Sequence, residues 1–357
     1  QGVSSAASDV YKRQVSELET AGRGDILVFF PGEREIREAA DYLRKDRVGR
    51  AEILPLFARL SASEQERVFK PGPMRRIVLA TNVAETSITV PGIRFVVDVG
   101  TARIKRYSYR SKVEQLLIEP VSQASANQRA GRCGRVADGI CIRLYDEEDF
   151  ARRPAFTDPE IVRSNLAAVI LRSMSLKLGD VREFPFVQAP PPRAIADGYS
   201  ILQEINAIDD AGNLTAVGRA LAKLPVDPKL GRMLLAGADF GSLRELLIIT
   251  SGLTVQDPRE RPLDQQQAAD QAHRQLADEK SDFLSFVKLW NWYEEAKAGK
   301  ESNRKFEAEM KRRFLSPRRM REWSDVMKQL KSLVEEMGWR INTAPATFEE
   351  VHRALLT

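Results

Sequence analysis

The chain has 357 residues, 43% hydrophobic, 29% charged and 7% aromatic, a composition that excludes disorder as the main state and a length that suits about two to three domains. No stretch approaches the roughly 18 consecutive apolar residues of a membrane span and no secretory-type apolar run opens the chain, so a cytoplasmic protein with no membrane partner is expected. Two cysteines, Cys133 and Cys141, and two histidines, His273 and His352, argue against a disulfide framework, a CxxC-type zinc site, thiol redox chemistry and histidine-based catalysis.

Residues 1–14, QGVSSAASDVYKRQ, lack periodicity and differ in composition from the rest of the chain; they are set aside as a leader or assembly artefact outside the fold. From Asp25 short apolar strands alternate with amphipathic helices, the pattern of an α/β domain with a parallel sheet and flanking helices. Ile26 to Phe30 is a strand ended by Pro31-Gly32, and Glu33 to Lys45 a helix with apolar residues at Ile36, Ala39, Ala40 and Leu43. A second strand runs from Ile53 to Phe57, and a helix from Ser63 to Phe69 opens on a capping box of Ser63 and Glu66. Ile77 to Ala80 and Phe95 to Val99 complete the predicted strands. Such a sheet places ligands in the loops at its strand C-termini.

Past residue 151 the pattern changes. Arg153 to Pro159 reads as a linker, Ile161 to Leu178 as a helix, and Ala194 to Ile205 with the turn Asp209 to Asn213 as a winged-helix-like module. From Pro228 the spacing predicts helices over Leu230–Ala238, Leu243–Ser251, Asp264–Lys280, Asp282–Ala298, Asn303–Phe314 and Ser316–Gly338, an all-α helical bundle. The expected domains are therefore 15–151, 152–226 and 227–357.

Net charge is only +5, from 55 Lys+Arg against 50 Asp+Glu, so a nucleic-acid surface has to come from clustering. Arg103 to Lys112 holds five basic residues and no acid, and Lys311 to Arg321 holds six and no acid; either run suits phosphate contact or a solvated face. Gln128 to Arg135, QRAGRCGR, sets Arg129, Arg132 and Arg135 three apart around two glycines. Forked guanidinium groups in that array can clamp phosphate oxygens or stabilise a phosphoryl-transfer transition state, and by composition alone the segment is equally an arginine-rich surface loop. Ile77 to Val90, IVLATNVAETSITV, follows a strand with hydroxyls and an amide that suit phosphate, ribose or simple capping.

In order along the chain, these segments resemble the DEAH-box helicases of superfamily 2. LVFFPG (Leu27 to Gly32) is similar to motif IV, SEQERVF (Ser63 to Phe69) to motif IVa, ATNVAETSITVPG (Ala80 to Gly92) to motif V and QRAGRCGR to motif VI. Arg106 to Ser125 looks like the family's hairpin, and the resemblance continues through RLYDEEDF and FTDPEI into winged-helix and ratchet domains, on the bacterial HrpA-type branch. It implies a second RecA-like domain at 15–151.

The resemblance also implies roles. Gln128 would hold the attacking water, with Arg132 and Arg135 as arginine fingers on the γ-phosphate; Ser87 would sense the nucleotide state, Thr89 would lie at the nucleotide, and Phe69 would sandwich the adenine base. Thr81, Asn82 and the backbone at Gly32 would touch RNA, and Arg106, Arg110 and Lys112 of the hairpin would contact the strand being unwound. One departure is Pro91, which stands where the resemblance implies an aspartate in many eukaryotic relatives, before the motif V glycine, and which fits the bacterial branch.

No G-x-x-x-x-G-K-[ST] and no D-E-x-H occurs in the 357 residues. The family's P-loop, magnesium ligands and catalytic glutamate belong to its first RecA-like domain, expected before residue 15, and its oligonucleotide-binding domain is expected after Thr357. The expectation is thus an internal fragment of an ATP- and Mg2+-dependent RNA helicase, acting 3′ to 5′ on single-stranded RNA or an overhang duplex, with messenger RNA or stalled ribosomes as substrates. Alone it should bind RNA weakly and hydrolyse no ATP. The competing reading is a non-catalytic nucleic-acid-binding adaptor, which would not need Gln128, Arg132 and Arg135 together.

Overall fold

The computed structural model describes residues 2–46, 51–135, 137–262 and 264–357. Contacts divide the chain into two compact units, Gln1–Ser164 and Asn165–Thr357.

The first unit runs α1 (Gly2–Ala21), β1 (Asp25–Phe29), α2 (Glu33–Asp46), β2 (Ala51–Leu56), α3 (Ala62–Arg67), β3 (Arg75–Ala80), β4 (Ile93–Asp98), β5 (Thr101–Ser108), β6 (Val113–Pro120), α4 (Gln123–Ala130), β7 (Ile140–Arg143), α5 (Glu147–Arg152) and α6 (Glu160–Arg163). Five strands form a parallel sheet in the order β2-β3-β1-β4-β7, and β5 and β6 form a separate antiparallel hairpin. Period-two alternation sorts the strand residues onto two cores. Ile26, Val28, Ile77, Leu79, Phe95 and Val97 pack with α2 residues Ile36, Ala39, Ala40 and Leu43. Leu27, Phe29, Val78, Ala80 and Val96 pack with Val68, Ala84, Val90 and Cys133. The second cluster underlies the helicase-like segments.

The segment 1–14, expected outside the fold, is tied to it through its later part. Helix α1 begins before Val15, and Tyr11, Val15 and Leu18, spaced four and three apart, are buried in the first cluster, with Tyr11 edge-on to Phe30 at 5.4 Å between ring centroids. Helix α3 has its N-cap at Ser61, not Ser63. Ser61 Oγ accepts from the Glu64 backbone and Glu64 reaches back to the Ser61 amide, a capping box two residues earlier than predicted. The sheet also has a fifth strand, β7, which is too short and too exposed to signal itself as a buried run.

The expected winged-helix boundary at residue 152 shifts as well, since 152–164 packs on the first unit. Gln123 N and Ala124 N donate to the carbonyls of Pro154 and Ala155, Arg106 pairs with Asp158 at 3.0 Å, and Arg163 donates to the Lys105 carbonyl at 3.2 Å.

The second unit runs α7 (Ala167–Ser175), α8 (Pro192–Glu204), α9 (Ala216–Leu221), α10 (Pro228–Asp239), α11 (Leu243–Thr254), α12 (Gln266–Arg274), α13 (Asp282–Ala298), α14 (Asn303–Arg312), α15 (Pro317–Glu336) and α16 (Phe348–Leu355). The predicted helix over 161–178 is two helices, because Asn165 Oδ1 accepts from the Ala167 amide and restarts the chain. A single bridge between Ile208 and Leu214 supplies the extended piece of the winged-helix module. Helix α11 is buried at Leu243 and from Glu245 to Gly252 and packs against α10, α13, α15 and α16. Trp323 is fully buried and donates its indole N–H to Ser251 Oγ at 2.9 Å, with Trp290 5.1 Å away between centroids. Trp290 and Tyr293 are thus core, and Trp292 packs at its edge under Arg313. No helix among the described residues is long and apolar enough to cross a membrane.

Candidate nucleotide-site face

Strand β3 ends at Ala80 and the chain passes into a single 3-10 turn, Asn82–Ala84, then a loop to Pro91. Helix α4, capped by Ser122 Oγ accepting from the Ser125 amide, ends at Ala130, and Gly131 turns the chain away. These two segments meet. Arg132 donates to the backbone carbonyls of Glu85 and, at 3.4 Å, Ile88, while Arg135 donates to Thr89 Oγ1 at 2.6 Å. Gln128, Ser87, Thr89 and Arg135 are exposed. The structure therefore brings together Thr89, Arg132 and Arg135, and leaves Gln128 and Ser87 accessible on the same two segments.

The third arginine of the array does something else. Arg129 is 0% exposed; it donates to Glu85 at 3.0 Å, to Asp98 at 2.7 Å and to the Thr101 carbonyl at 3.2 Å, and its guanidinium lies 4.8 Å from the Phe29 ring centroid. It cannot clamp phosphate. Asp98, also 0% exposed, accepts in addition from the Gly100 amide at 2.9 Å and the Tyr145 hydroxyl at 2.9 Å. Burial, and then the Asp98 charge, raise the Tyr145 phenol well above its ordinary value. Arg153 stacks on Tyr145 at 3.8 Å and donates to the Gly100 carbonyl.

The contrast between the arginines is electrostatic. Arg129 is neutralised by two carboxylates, whereas the acceptors facing Arg132 and Arg135 are carbonyls and a hydroxyl. Desolvation first, and the like charge of Arg135 second, lower the Arg132 guanidinium below its ordinary value. An anion placed between the two guanidinium groups would offset their mutual repulsion.

Other candidates divide. Thr81 is half-buried at the entry to the 3-10 turn and Asn82 is exposed. Phe69 is not core: it follows α3 in a turn and is 38% exposed, while its neighbour Val68 is buried with Ala84, Val90 and Cys133. Gly32 is buried beneath Arg103, whose Cζ is 2.7 Å from where a glycine Cβ would stand, so its backbone is covered rather than offered to a strand. Arg106 is not free either; Glu119 takes both ends of its fork at 2.7 and 2.8 Å and Asp158 a third contact, which raises its guanidinium above its ordinary value. Arg110 is exposed at the hairpin turn, and Lys112 holds the turn with a φ of 51°.

Local reading missed Glu85, Asp98, Arg76 and Asp25. The available signal was a charged residue within or at the end of a buried apolar run, as in RRIVLA and FVVD, where burial demands a partner. Among the described residues no three His, Cys, Asp or Glu side chains converge as a metal site.

Residues 9–137 match the helicase conserved C-terminal domain, 200–226 the winged-helix part and 227–329 the ratchet-like part of the helicase-associated domain. The chain is 57% identical over 348 residues to the ATP-dependent RNA helicase HrpA of Escherichia coli K12 and 55% identical over 350 residues to its Haemophilus influenzae homolog. Over nearly all of its length the chain is similar to HrpA-type ATP-dependent RNA helicases. It covers 27% of the length of each of these relatives and 96% of itself is aligned. A mouse relative, the probable ATP-dependent RNA helicase DHX34, is 37% identical over 321 residues, covering 88% of this chain and 28% of the mouse protein. The crystal structure of the E. coli DExH-box NTPase HrpB superposes with a TM-score of 0.72 at 25% identity, covering 97% of this chain and 36% of that one. The motif V loop and α4, whose segments touch here, both lie within the match to the helicase conserved C-terminal domain.

Proposed function

We propose that this chain is the arginine-finger half of a two-lobed ATPase that drives an RNA helicase, acting in cis with a first RecA-like lobe that bears the P-loop, the magnesium ligands and the catalytic glutamate. The observation that supports it is the different treatment of three arginines on one segment: Arg129 is neutralised in the interior, while Arg132 and Arg135 keep their charge against neutral acceptors at the surface.

ATP, when bound between lobes, supplies the phosphoanhydride whose cleavage powers movement. Arg132 and Arg135 stabilise the charge that develops on the transferred phosphoryl group, Gln128 orients water, and Ser87 and Thr89 report the nucleotide to the loop that begins at Thr81 and Asn82. Because these side chains are on one lobe, hydrolysis requires lobe closure. RNA is contacted through Thr81, Asn82, Arg110 and Lys112, hydroxyl, amide and cationic groups that read backbone rather than sequence. Arg106 and Gly32 are left out of that set because one is ion-paired and the other covered.

The test is phosphate release. The 357-residue chain alone should give none above a buffer blank, with or without RNA. Joined to its P-loop lobe it should turn over, and Arg132→Ala or Arg135→Ala should lower kcat by about a thousandfold or more. Turnover by the chain alone, or a joined enzyme indifferent to both substitutions, sinks the reading.

A further inference from the structure

Arg76 is the second residue of β3 and is 3% exposed. Its Nε donates to Asp25 Oδ2 at 2.9 Å; Nη2 donates to the same carboxylate at 2.5 Å and to the Pro91 carbonyl at 2.6 Å; Nη1 donates to the carbonyls of Val68 at 2.8 Å and Lys70 at 3.4 Å. A guanidinium has five N–H donors, and here five bonds use them. Asp25 is fixed in turn, accepting from the Arg76 amide at 2.8 Å.

The acceptors come from three separate segments. Val68 and Lys70 flank the exposed Phe69, and Pro91 ends the motif V loop, one residue before Gly92. At Gly92 φ is +83° and an added Cβ would stand 2.9 Å from Asp25 Oδ2, so the loop exit passes the ion pair with no room for a side chain. A buried ion pair needed only for stability is often replaceable by apolar side chains. One that directs three of its five donors to carbonyls on two loops sets the relative position of those loops.

We propose that Arg76 is a positioning residue that holds the Phe69 turn and the exit of the motif V loop together as one wall of the base-binding side of the nucleotide site. The inference rests on the reading of Phe69 as the adenine-stacking residue. Pro91 contributes through its carbonyl, as an acceptor for Arg76 rather than as a ligand for nucleotide. Lysine is no substitute, since a single ammonium cannot reproduce a planar fork that spans Asp25, Val68, Lys70 and Pro91.

The experiment is saturation-transfer NMR with ATP and the 357-residue chain, which detects weak binding and separates the adenine protons from the ribose protons. The unsubstituted chain should saturate the adenine ring. Phe69→Ala should weaken ATP binding about tenfold, the lower part of the range for base–aromatic stacking, and selectively lose adenine saturation. Arg76→Met should reproduce that loss, and the double variant should bind no worse than Phe69→Ala. Arg76→Lys, which keeps a cation beside Asp25 and so protects the fold better than methionine, should give the same selective loss while still melting in one cooperative transition above the temperature of the measurement. Undiminished adenine saturation in the Arg76 variants, beside a clear loss in Phe69→Ala, overturns the positioning role alone. No effect of Phe69→Ala, or no adenine saturation in the unsubstituted chain, overturns the reading of Phe69 and the proposal with it.

Discussion

Arg129 Nη1 donates to Asp98 Oδ1 at 2.7 Å with both side chains wholly out of solvent, and the same arginine holds Glu85 at 3.0 Å. This pair ties the end of β4 to the motif V loop and to α4. It is an interior strut beneath a surface whose other two arginines face outward.

Removing the strut should therefore act on the fold. Arg129→Met leaves Asp98 and Glu85 without their cation and should cost about 3–5 kcal/mol in a denaturant titration. Arg135→Met, at an exposed position, should stay within about 0.5 kcal/mol of the unsubstituted chain. Equal losses at the two positions would contradict the division between interior and surface arginines.

The bond from Arg135 to Thr89 Oγ1 separates positioning from charge. In the assembled ATPase, Thr89→Val should lower kcat by about tenfold by loosening Arg135, and Thr89→Ser should restore it. A valine variant with full kcat would show that Arg135 orients without Thr89.

Tyr11 ties the first residues to the sheet. Tyr11→Ala should destabilise the chain by about 3 kcal/mol, as for other buried aromatics, and deleting residues 1–14 should lower the thermal midpoint to a similar degree. A deletion that leaves the midpoint unchanged would return this segment to the status of a foreign leader.

The basic run from Lys311 to Arg321 is largely paired within its own surface. Arg313 bonds Glu309, Arg318 bonds Glu322, Arg321 bonds Glu307, and Arg319 is 8% exposed with a bond to the Asp257 carbonyl. Arg318→Glu should leave the salt dependence of RNA binding unchanged, while Arg319→Glu should destabilise the bundle. A shallower salt slope for Arg318→Glu would put the run in the RNA path.

Burial first, then the charge of Asp98, pushes the Cys141 thiol up to about 12. The unfolded thiol ionises near 8.5, so the stability contributed by a protonated Cys141 is complete below about 8.5 and is lost as pH climbs towards the folded value. Alkylation of Cys141 in the native chain at pH 8 should be slower than in denaturant by about two orders of magnitude or more; mass spectrometry of the labelled peptide reads this directly.

Much of the fold was legible because it follows local rules. The ILVFF strand, the helix spaced on Ile36, Ala39, Ala40 and Leu43, and most of the bundle helices from Pro228 onward stand within a few residues of their expected places. The misses share a cause: a local signal was outweighed by a neighbour. The predicted helix over 264–280 covers only Gln266–Arg274, because Asp278 turns the chain by accepting from the Lys280 and Ser281 amides and Ser281 then caps α13. In the first 14 residues, a composition that looked foreign concealed Tyr11, whose apolar partner Phe30 lies 19 positions on.

The sequence by itself determined the order of the helicase-like segments, the alternation that builds a two-faced parallel sheet, and the presence of three arginines at equal spacing. Only the tertiary structure decided what each arginine contacts. Spacing of three treats Arg129, Arg132 and Arg135 alike, yet the carboxylates that neutralise Arg129 stand 44 and 31 residues away, at Glu85 and Asp98. The same holds for Arg76, whose Asp25 partner is 51 residues distant. A charge in a low-dielectric interior is governed by whatever countercharge the fold brings within about 3 Å, and that proximity is a property of the folded sheet and its loops.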